Sequence, residues 1–354
     1  MQLPSFVGID VSKDTLDTYN PIYKSNKFKN DKRGWISLFK YYESDSDTFW
    51  FIVENTGGHE RQLVHFLLET GARVSILHGR SVRLYKEGRN VVAKTDKQDA
   101  IDIHDYAKTL FVEGRLREWE PKDETVEMGD RLIVTINQML EQRTRWINRK
   151  KQYIKMGVHK GQVQRINNAM IKTFENRIKK SKKHLIDSFN KEFPDLMSIV
   201  KSVPGIADYT AVAILCHFNC FKNFDTQTKV GSMSGLIPIK SLSGTSVSKK
   251  GKRVHMGSRL LRKALHQVLV GQQQHRGRAE AYYLRHKHYG NFKLNRDVLN
   301  YYDRLKAKGK HDQEARKGAE RLILRQIFSC VRRQTLWTPD YKYPYREILK
   351  KRKK

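Results

Sequence analysis

The chain has 354 residues, with 69 Lys+Arg against 37 Asp+Glu and a formal charge of +32. That length allows two or three domains with at least one full core. No run approaches the ~18 apolar residues of a membrane span, the N-terminus lacks the charged and apolar regions of a signal peptide, and 3 cysteines are too few for a disulfide scaffold. These features fit a cytoplasmic protein. The charge is uneven: residues 1–120 hold 18 basic and 18 acidic side chains, and residues 121–354 hold the other 51 and 19. A neutral front joined to a cationic back suggests an enzyme-like domain carried by a body that binds polyanions.

Residues 5–11 read as a short buried strand, and 15–28 as a hairpin that turns near Asn20-Pro21. A helix is expected over 32–43, with Trp35, Leu38 and Phe39 on one face. A second apolar strand over 48–53 ends at Glu54, Gly57-Gly58 breaks the chain, and an amphipathic helix follows over 59–70. Val74–Leu77 is a third strand, and a helix opens near Thr95 or Asp96 and runs to about 112. Strands alternating with helices indicate an α/β domain, 1–120.

Pro121 and mixed charges mark a boundary. From 124 to 192 the only break is near Gly157–Gly161, and Leu132, Ile136 and Leu140 recur at helical spacing. This predicts two long basic helices, a coiled-coil hairpin within a region 121–194. The surplus of basic side chains favours contact with polyanions over a merely solvated face. In Ser202-Val-Pro-Gly-Ile206 a tight turn precedes a helix of small residues, as in a helix-hairpin-helix element. Such a turn either offers N–H groups to a phosphate or only packs two helices. Cys216 and Cys220 flank His217 with spacing wrong for a zinc knuckle, and read as buried thiols. A Gly/Ser/Lys-rich stretch covers 231–256, a helix begins after Gly257-Ser258 with Leu261, Leu265 and Val268 in its apolar stripe, and another covers 312–336. The mainly helical third domain is 195–340, followed by a basic tail, 341–354.

Four carboxylates carry the chemistry. Asp10 sits between Ile9 and Val11 on a strand, where a charge is costly unless used or paired. Glu54 ends another apolar strand, the place where α/β sheets bind ligands. Asp96 and Asp99 open a helix with the spacing of three that lets both aim at one point. Asp102 is the next choice, and Asp105 faces away from Asp96. Acids at a helix start also favour the macrodipole with no further role. With Asp10 and Glu54, however, the set suits a hard cation, Mg²⁺ or Mn²⁺, acting on a phosphodiester.

The ordered run Gly-Ile-Asp10-Val-Ser-Lys, Val-Glu54-Asn-Thr-Gly, Lys-Thr-Asp96-Lys-Gln-Asp99-Ala resembles the DEDD domain of the IS110 family of insertion-sequence transposases. The resemblance continues through Val203-Pro-Gly-Ile206, Gly235-Leu-Ile-Pro238, Ser243-Gly244 and Lys249-Lys250-Gly251 to Leu260-Leu261-Arg262, spanning roughly 5–270. Val254-His255-Met256-Gly257 departs from the family's usual run, and no motif matches after about 275. The resemblance implies a fold of class α/β plus α: an RNase H/RuvC-like domain, a long-helix hairpin and a serine-bearing transposase domain. It implies a recombinase guided by a structured bridge RNA that pairs with donor and target DNA. It also implies serine–DNA covalent intermediates in a homo-oligomer, a dimer or tetramer, with composite sites.

Local chemistry leaves Ser241, Ser243, Ser246 and Ser248 open as nucleophile; the family pattern selects Ser243, before Gly244. Lys249, Lys250, Lys252 and Arg253 follow closely and suit a phosphate. Two alternatives stand beside this reading. A metal-dependent Holliday-junction nuclease would need the carboxylates but no serine, and a non-enzymatic nucleic-acid-binding protein would need neither.

Overall fold

The computed structural model describes residues 4–43, 49–89, 96–237, 241–243, 247–249, 257–286 and 293–339. The chain divides into two compact units, Met1–Pro121 and Lys122–Lys354. Their architecture is α/β in the first and almost wholly helical in the second.

The first unit is built on β1 (Phe6–Val11), β2 (Thr15–Asn20), β3 (Lys24–Lys29), β4 (Trp50–Glu54) and β5 (Arg73–Leu77), in the order β3-β2-β1-β4-β5. β1 to β3 form an antiparallel meander, while β4 and β5 add in parallel. Parallel neighbours need crossovers: α1 (Lys32–Glu43) leads to β4 and α2 (Arg61–Glu69) to β5. The period of two along each strand sorts the side chains. Val7, Ile9, Val11, Phe51 and Val53 pack with Leu38, Leu63 and Leu67 of α1 and α2. Phe6, Trp50, Ile52 and Leu77 pack on the other face with Val82 of α3 (Gly79–Gly88) and Ile103, Ala107 and Leu110 of α4 (Asp96–Val112). Gly8 and Asp10 therefore share the face covered by α3 and α4.

Gly8 sets how close α4 comes. A Cβ at this position would lie 2.2 Å from the Ala100 carbonyl oxygen and 2.7 Å from the His104 nitrogen. The α4 backbone thus rests directly on β1. Phe6 meets His104 and Phe111, so α4 runs back along β1 and its first turn lies toward Asp10. α3 was not expected from the sequence. With Val82 its one buried residue, its pattern is too sparse to read as a helix.

In the second unit α5 (Glu124–Lys155) and α6 (Gln162–Glu192) pack along each other, and the chain between them passes through Gly157 and Gly161 at positive φ. Asp123 caps α5, its Oδ1 accepting from the Thr125 nitrogen at 2.9 Å. α7 (Pro194–Ser202) and α8 (Asp208–His217) are joined by the Val203–Ile206 turn, with Gly205 at φ 93. Asp208, at the start of α8, is ion-paired with Lys201. This side chain puts a negative charge beside the helix N-terminus, where a phosphate would otherwise be favoured. Cys216, Cys220 and Cys330 are buried and free, and burial pushes the Cys220 thiol up to about 11.

α9 (Gln227–Ser234) ends at Gly235 in the left-handed region, and a two-stranded ladder of β6 (Ser241–Ser243) and β7 (Val247–Lys249) follows. α10 (Arg259–His286), α11 (Arg296–Ala307) and α12 (Asp312–Arg333) complete the unit. α12 stops three residues before the expected 336, because Gln334 turns left-handed at φ 53. The residues beyond the last motif belong to the same core. The buried Asn295 nitrogen donates to Gln272 Oε1 at 2.7 Å, and Asn295 Nδ2 donates to Gln326 Oε1 at 2.7 Å. These bonds tie α10, α11 and α12 together. A Cβ on Gly205 would lie 2.7 Å from Gln272 Nε2, so the Pro-Gly turn sits on the same network.

The Gly8 contact predicts that Gly8→Ala forces α4 off β1. Overpacking of this kind costs about 1–3 kcal/mol. A lower urea midpoint for the first unit, with the second unchanged, is the expected result; an unchanged midpoint would show that the contact yields freely.

Candidate active site

Asp10 and Glu54 stand on adjacent strands, each one residue beyond the paired Ile9 and Val53. Both are half-buried on the face covered by α3 and α4. Across the antiparallel pair Asp10 faces Asp17, whose Oδ2 is held by Lys27 at 3.3 Å. α4 brings Asp99, and α3 brings Lys86, whose Nζ donates to Asp99 Oδ1 at 2.6 Å; both side chains are 20% exposed. The start of α3 touches Glu54: a Cβ on Gly79 would lie 2.6 Å from Glu54 Oε1.

The electrostatics show that these groups feel one another. Burial, and then the charge of Asp99, push the Asp10 carboxyl up to about 6; Asp96 and Asp17 add to the rise and Lys86 opposes it. Glu54 is raised by burial, with Lys86 pulling down and Asp10 and Asp99 pushing up. Carboxyls crowded this way are short of positive charge. Their hard oxygens fit a divalent cation in chemistry. Among the described residues, however, no three such groups stand close enough to hold one ion, and Lys86 sits in their midst.

The remaining acids make no contact with these side chains. Asp96 is exposed at the helix start and acts on Asp10 through its charge. Asp102 is buried, with Oδ1 accepting from Gln98 Nε2 at 3.2 Å and Oδ2 without a partner. Asp105 accepts from Arg89 at 2.7 Å and meets His104 Nδ1 at 3.0 Å. Glu60 Oε2 accepts from the Gly58 nitrogen at 2.8 Å and the Thr56 hydroxyl at 3.0 Å, closing the loop that follows Glu54. Sequence reasoning missed Gly8, Gly79, Asp17 and Lys86. The signal for Gly8 was its position two residues before Asp10, on the same strand face. Lys86 had none, because its helix went unread.

Of the residues expected around the serine, Ser243 ends β6 opposite Val247 and Lys249 ends β7 opposite Ser241. Lys250, Lys252, Arg253 and Gly244 lie outside the described residues. The stems of this stretch meet: a Cβ on Gly257 would lie 2.5 Å from the Met233 carbonyl oxygen and 2.7 Å from the Gly235 nitrogen.

Residues 7–156 match the DEDD transposase family of the IS110 type, and residues 197–284 match the family described as Transposase IS116/IS110/IS902. The chain belongs to the IS110 family of transposases. The two matched stretches contain Asp10, Glu54, Asp96 and Asp99, and Ser243, respectively. This IS110-family chain is similar to the pilin gene-inverting protein of Moraxella lacunata, with 25% identity over 274 residues, 74% of this chain and 80% of the relative. The pilin gene-inverting protein of Moraxella bovis is 24% identical over 273 residues, with the same coverage. The IS110-type protein is accordingly a DNA transposase/recombinase, and DEDD domains of this kind generally work with divalent metal ions. No helix among the described residues is long and apolar enough to cross a membrane.

A raised carboxyl is a stability statement. The neutral form of Asp10 is favoured in the fold, so its contribution is complete below the ordinary value of 3.8 and is lost as pH rises through about 6. In chelator, Asp10→Asn should match the wild type near pH 3.5, gain stability over it as pH rises from about 4 to 6, and keep a constant lead above that. Denaturation midpoints across that range test this; a difference that does not change with pH would refute it.

Proposed function

We propose that this protein is an RNA-guided recombinase that cuts donor and target DNA and exchanges their strands. In this reading the RNase H/RuvC-like domain, residues 1–120, supplies the acidic site, the region 121–194 contacts nucleic acid, and the domain 195–340 supplies Ser243. The observation that carries the reading is the gathering of Asp10, Glu54 and Asp99 at one end of the sheet, in a chain of a DNA transposase family. RNA guidance, a tetramer with composite sites and a cytoplasmic location rest on the resemblance set out above and on the cationic second unit.

Asp10, Glu54, Asp96 and Asp99 would hold the ion, Mg²⁺ or Mn²⁺, which when bound neutralises charge on the scissile phosphate and on the attacking and leaving oxygens. The chain's own contribution is rigidity and placement. Asp10 and Glu54 are fixed by strand pairing, and Asp96 and Asp99 by the first turn of a helix seated on Gly8. Carboxylates on regular elements hold their oxygens more precisely than loop residues do. The Ser243 oxygen attacks phosphorus as its hydroxyl gives up its proton, a serine–phosphate bond forms, and the phosphorus–sugar oxygen bond breaks, the freed sugar oxygen taking up a proton to leave as a hydroxyl. A sugar hydroxyl of the other duplex then attacks the same phosphorus and frees the serine. Each step exchanges one phosphoester bond for another, so strand exchange conserves bond energy and needs no nucleotide cofactor. Lys249, Lys250, Lys252 and Arg253 would neutralise the phosphate next to the serine.

Two experiments test this reading. Ser243→Ala should lower strand exchange on the order of 10⁴-fold or more, the scale seen when a serine nucleophile is removed, and should abolish a covalent protein–DNA adduct that maps to Ser243 by mass spectrometry. Asp10→Asn should remove exchange with DNA binding retained. An adduct on another residue would overturn the serine assignment, and hydrolytic cutting without any adduct or exchange would favour a metal-dependent nuclease chemistry. Separately, duplex affinity should fall with salt at about 0.9 log units per log unit of salt for each phosphate neutralised; a flat salt response would refute phosphate contact as the main source of affinity.

A further inference from the structure

Lys86 is the residue in the acidic site that neither the sequence nor the proposed chemistry uses. Its ammonium sits 2.6 Å from Asp99, and only a fifth of either side chain is exposed. α3, which carries it, contacts the cluster at both ends. Its first residue, Gly79, abuts Glu54, and its last turn delivers Lys86 to Asp99. Side chains on a helix lean toward its N-terminus, which for α3 is the end that abuts Glu54. Its charge also acts on Asp10 and Glu54. A half-buried ammonium among carboxylates is an internal counter-ion occupying the region that a bound cation would need.

We propose that Lys86 is the resident counter-ion of this site: it holds the carboxylates together in the metal-free protein and gives up its place on Asp99 when a divalent cation binds. The proposal rests on the metal reading of the cluster. It makes Lys86 a positioning residue rather than a ligand. It also accounts for an arrangement in which the carboxylates sense one another without being gathered around one point: the lysine satisfies Asp99 while the cation's place is taken. Two positive charges compete for one set of oxygens, so ammonium release and cation binding must be linked.

The test uses the full-length protein with Mn²⁺ as the probe. In wild type, Lys86 should resist acylation in chelator and should react several-fold faster once Mn²⁺ saturates the site, read by mass spectrometry of the residue. Lys86→Gln should speed hydrogen exchange of the α4 peptides in chelator and have no effect on it in saturating Mn²⁺. The same variant should bind Mn²⁺ more tightly than wild type by calorimetry, while Lys86→Arg, which keeps the charge, should not. The labelling needs no variant, so it decides even if Lys86→Gln fails to fold. If Mn²⁺ binds but Lys86 stays equally protected, or if the faster exchange of Lys86→Gln persists unchanged in Mn²⁺, the lysine is a fixed tether and the counter-ion proposal is wrong with the metal site intact. If wild type binds no Mn²⁺ that Asp10→Asn abolishes, the metal reading itself falls, and the proposal with it.

Discussion

A backbone contact with no room for a methyl group decides where the acidic residues of the first unit meet. Gly8 lets α4 lie against β1 at the Ala100 carbonyl. The apolar side of the helix, Ile103, Ala107 and Leu110, then seats against Phe6, Trp50 and Ile52. Each large side chain buried there contributes about 1.5–3 kcal/mol, which together outweighs the cost of bringing Asp99 up to Asp10. The direction of the helix does the rest. Its C-terminal half packs toward Phe6, so its first turn, with Asp96 and Asp99, falls toward the carboxyl end of the strand.

Two acids on α4 show how differently one helix can place its carboxylates. Both receive a cation from the α3 side, Lys86 for Asp99 and Arg89 for Asp105. Burial pushes Asp105 up, yet the hydrogen bonds from Arg89 and His104 outweigh it and hold the carboxyl below its usual range. Lys86 bonds Asp99 alone and acts on Asp10 and Glu54 only through its charge, and both of those carboxyls stay raised. Unsatisfied charge of this kind is held in place by the surrounding fold at a cost in stability, the usual trade at sites that must bind something. Glu60, with donors from Thr56 and Gly58, lies on the satisfied side of the same divide.

The strands and the long helices were legible because their signals are local. Short apolar runs that carry a single carboxylate gave β1 and β4, and a long helical period broken by glycines gave α5 and α6. α3, α9 and α11 were not read, because they are short helices whose few buried residues are defined by what packs on them. The same limit applies to the site. Asp10 and Glu54 announce themselves as charges in apolar strands, whereas Lys86 is one lysine among many until α3 folds over the cluster. Gln272, Asn295 and Gln326 form a network across more than fifty residues of sequence, and nothing in their local context marks them as partners.

Gly257 constrains the serine-bearing stretch as Gly8 constrains the acidic site. The chain turns at Gly235, in the left-handed region at φ 67, buries Leu236 in the core, and meets Gly235 again at Gly257, also at positive φ, with no space for a side chain between the two glycines. Ser258 then caps α10, its hydroxyl oxygen accepting from the Leu260 nitrogen at 3.1 Å, and Arg262 Nη1 donates to the Gly257 carbonyl oxygen at 3.1 Å. Entry and exit are therefore one fixed point, and the ladder that ends in Ser243 is carried from it. The departure of Val254-His255-Met256 from the family's usual run falls just before this clasp, and the clasp itself is made by backbone atoms and the glycine. Its geometry thus depends little on which side chains precede it, so the sequence there can change while the stems remain joined.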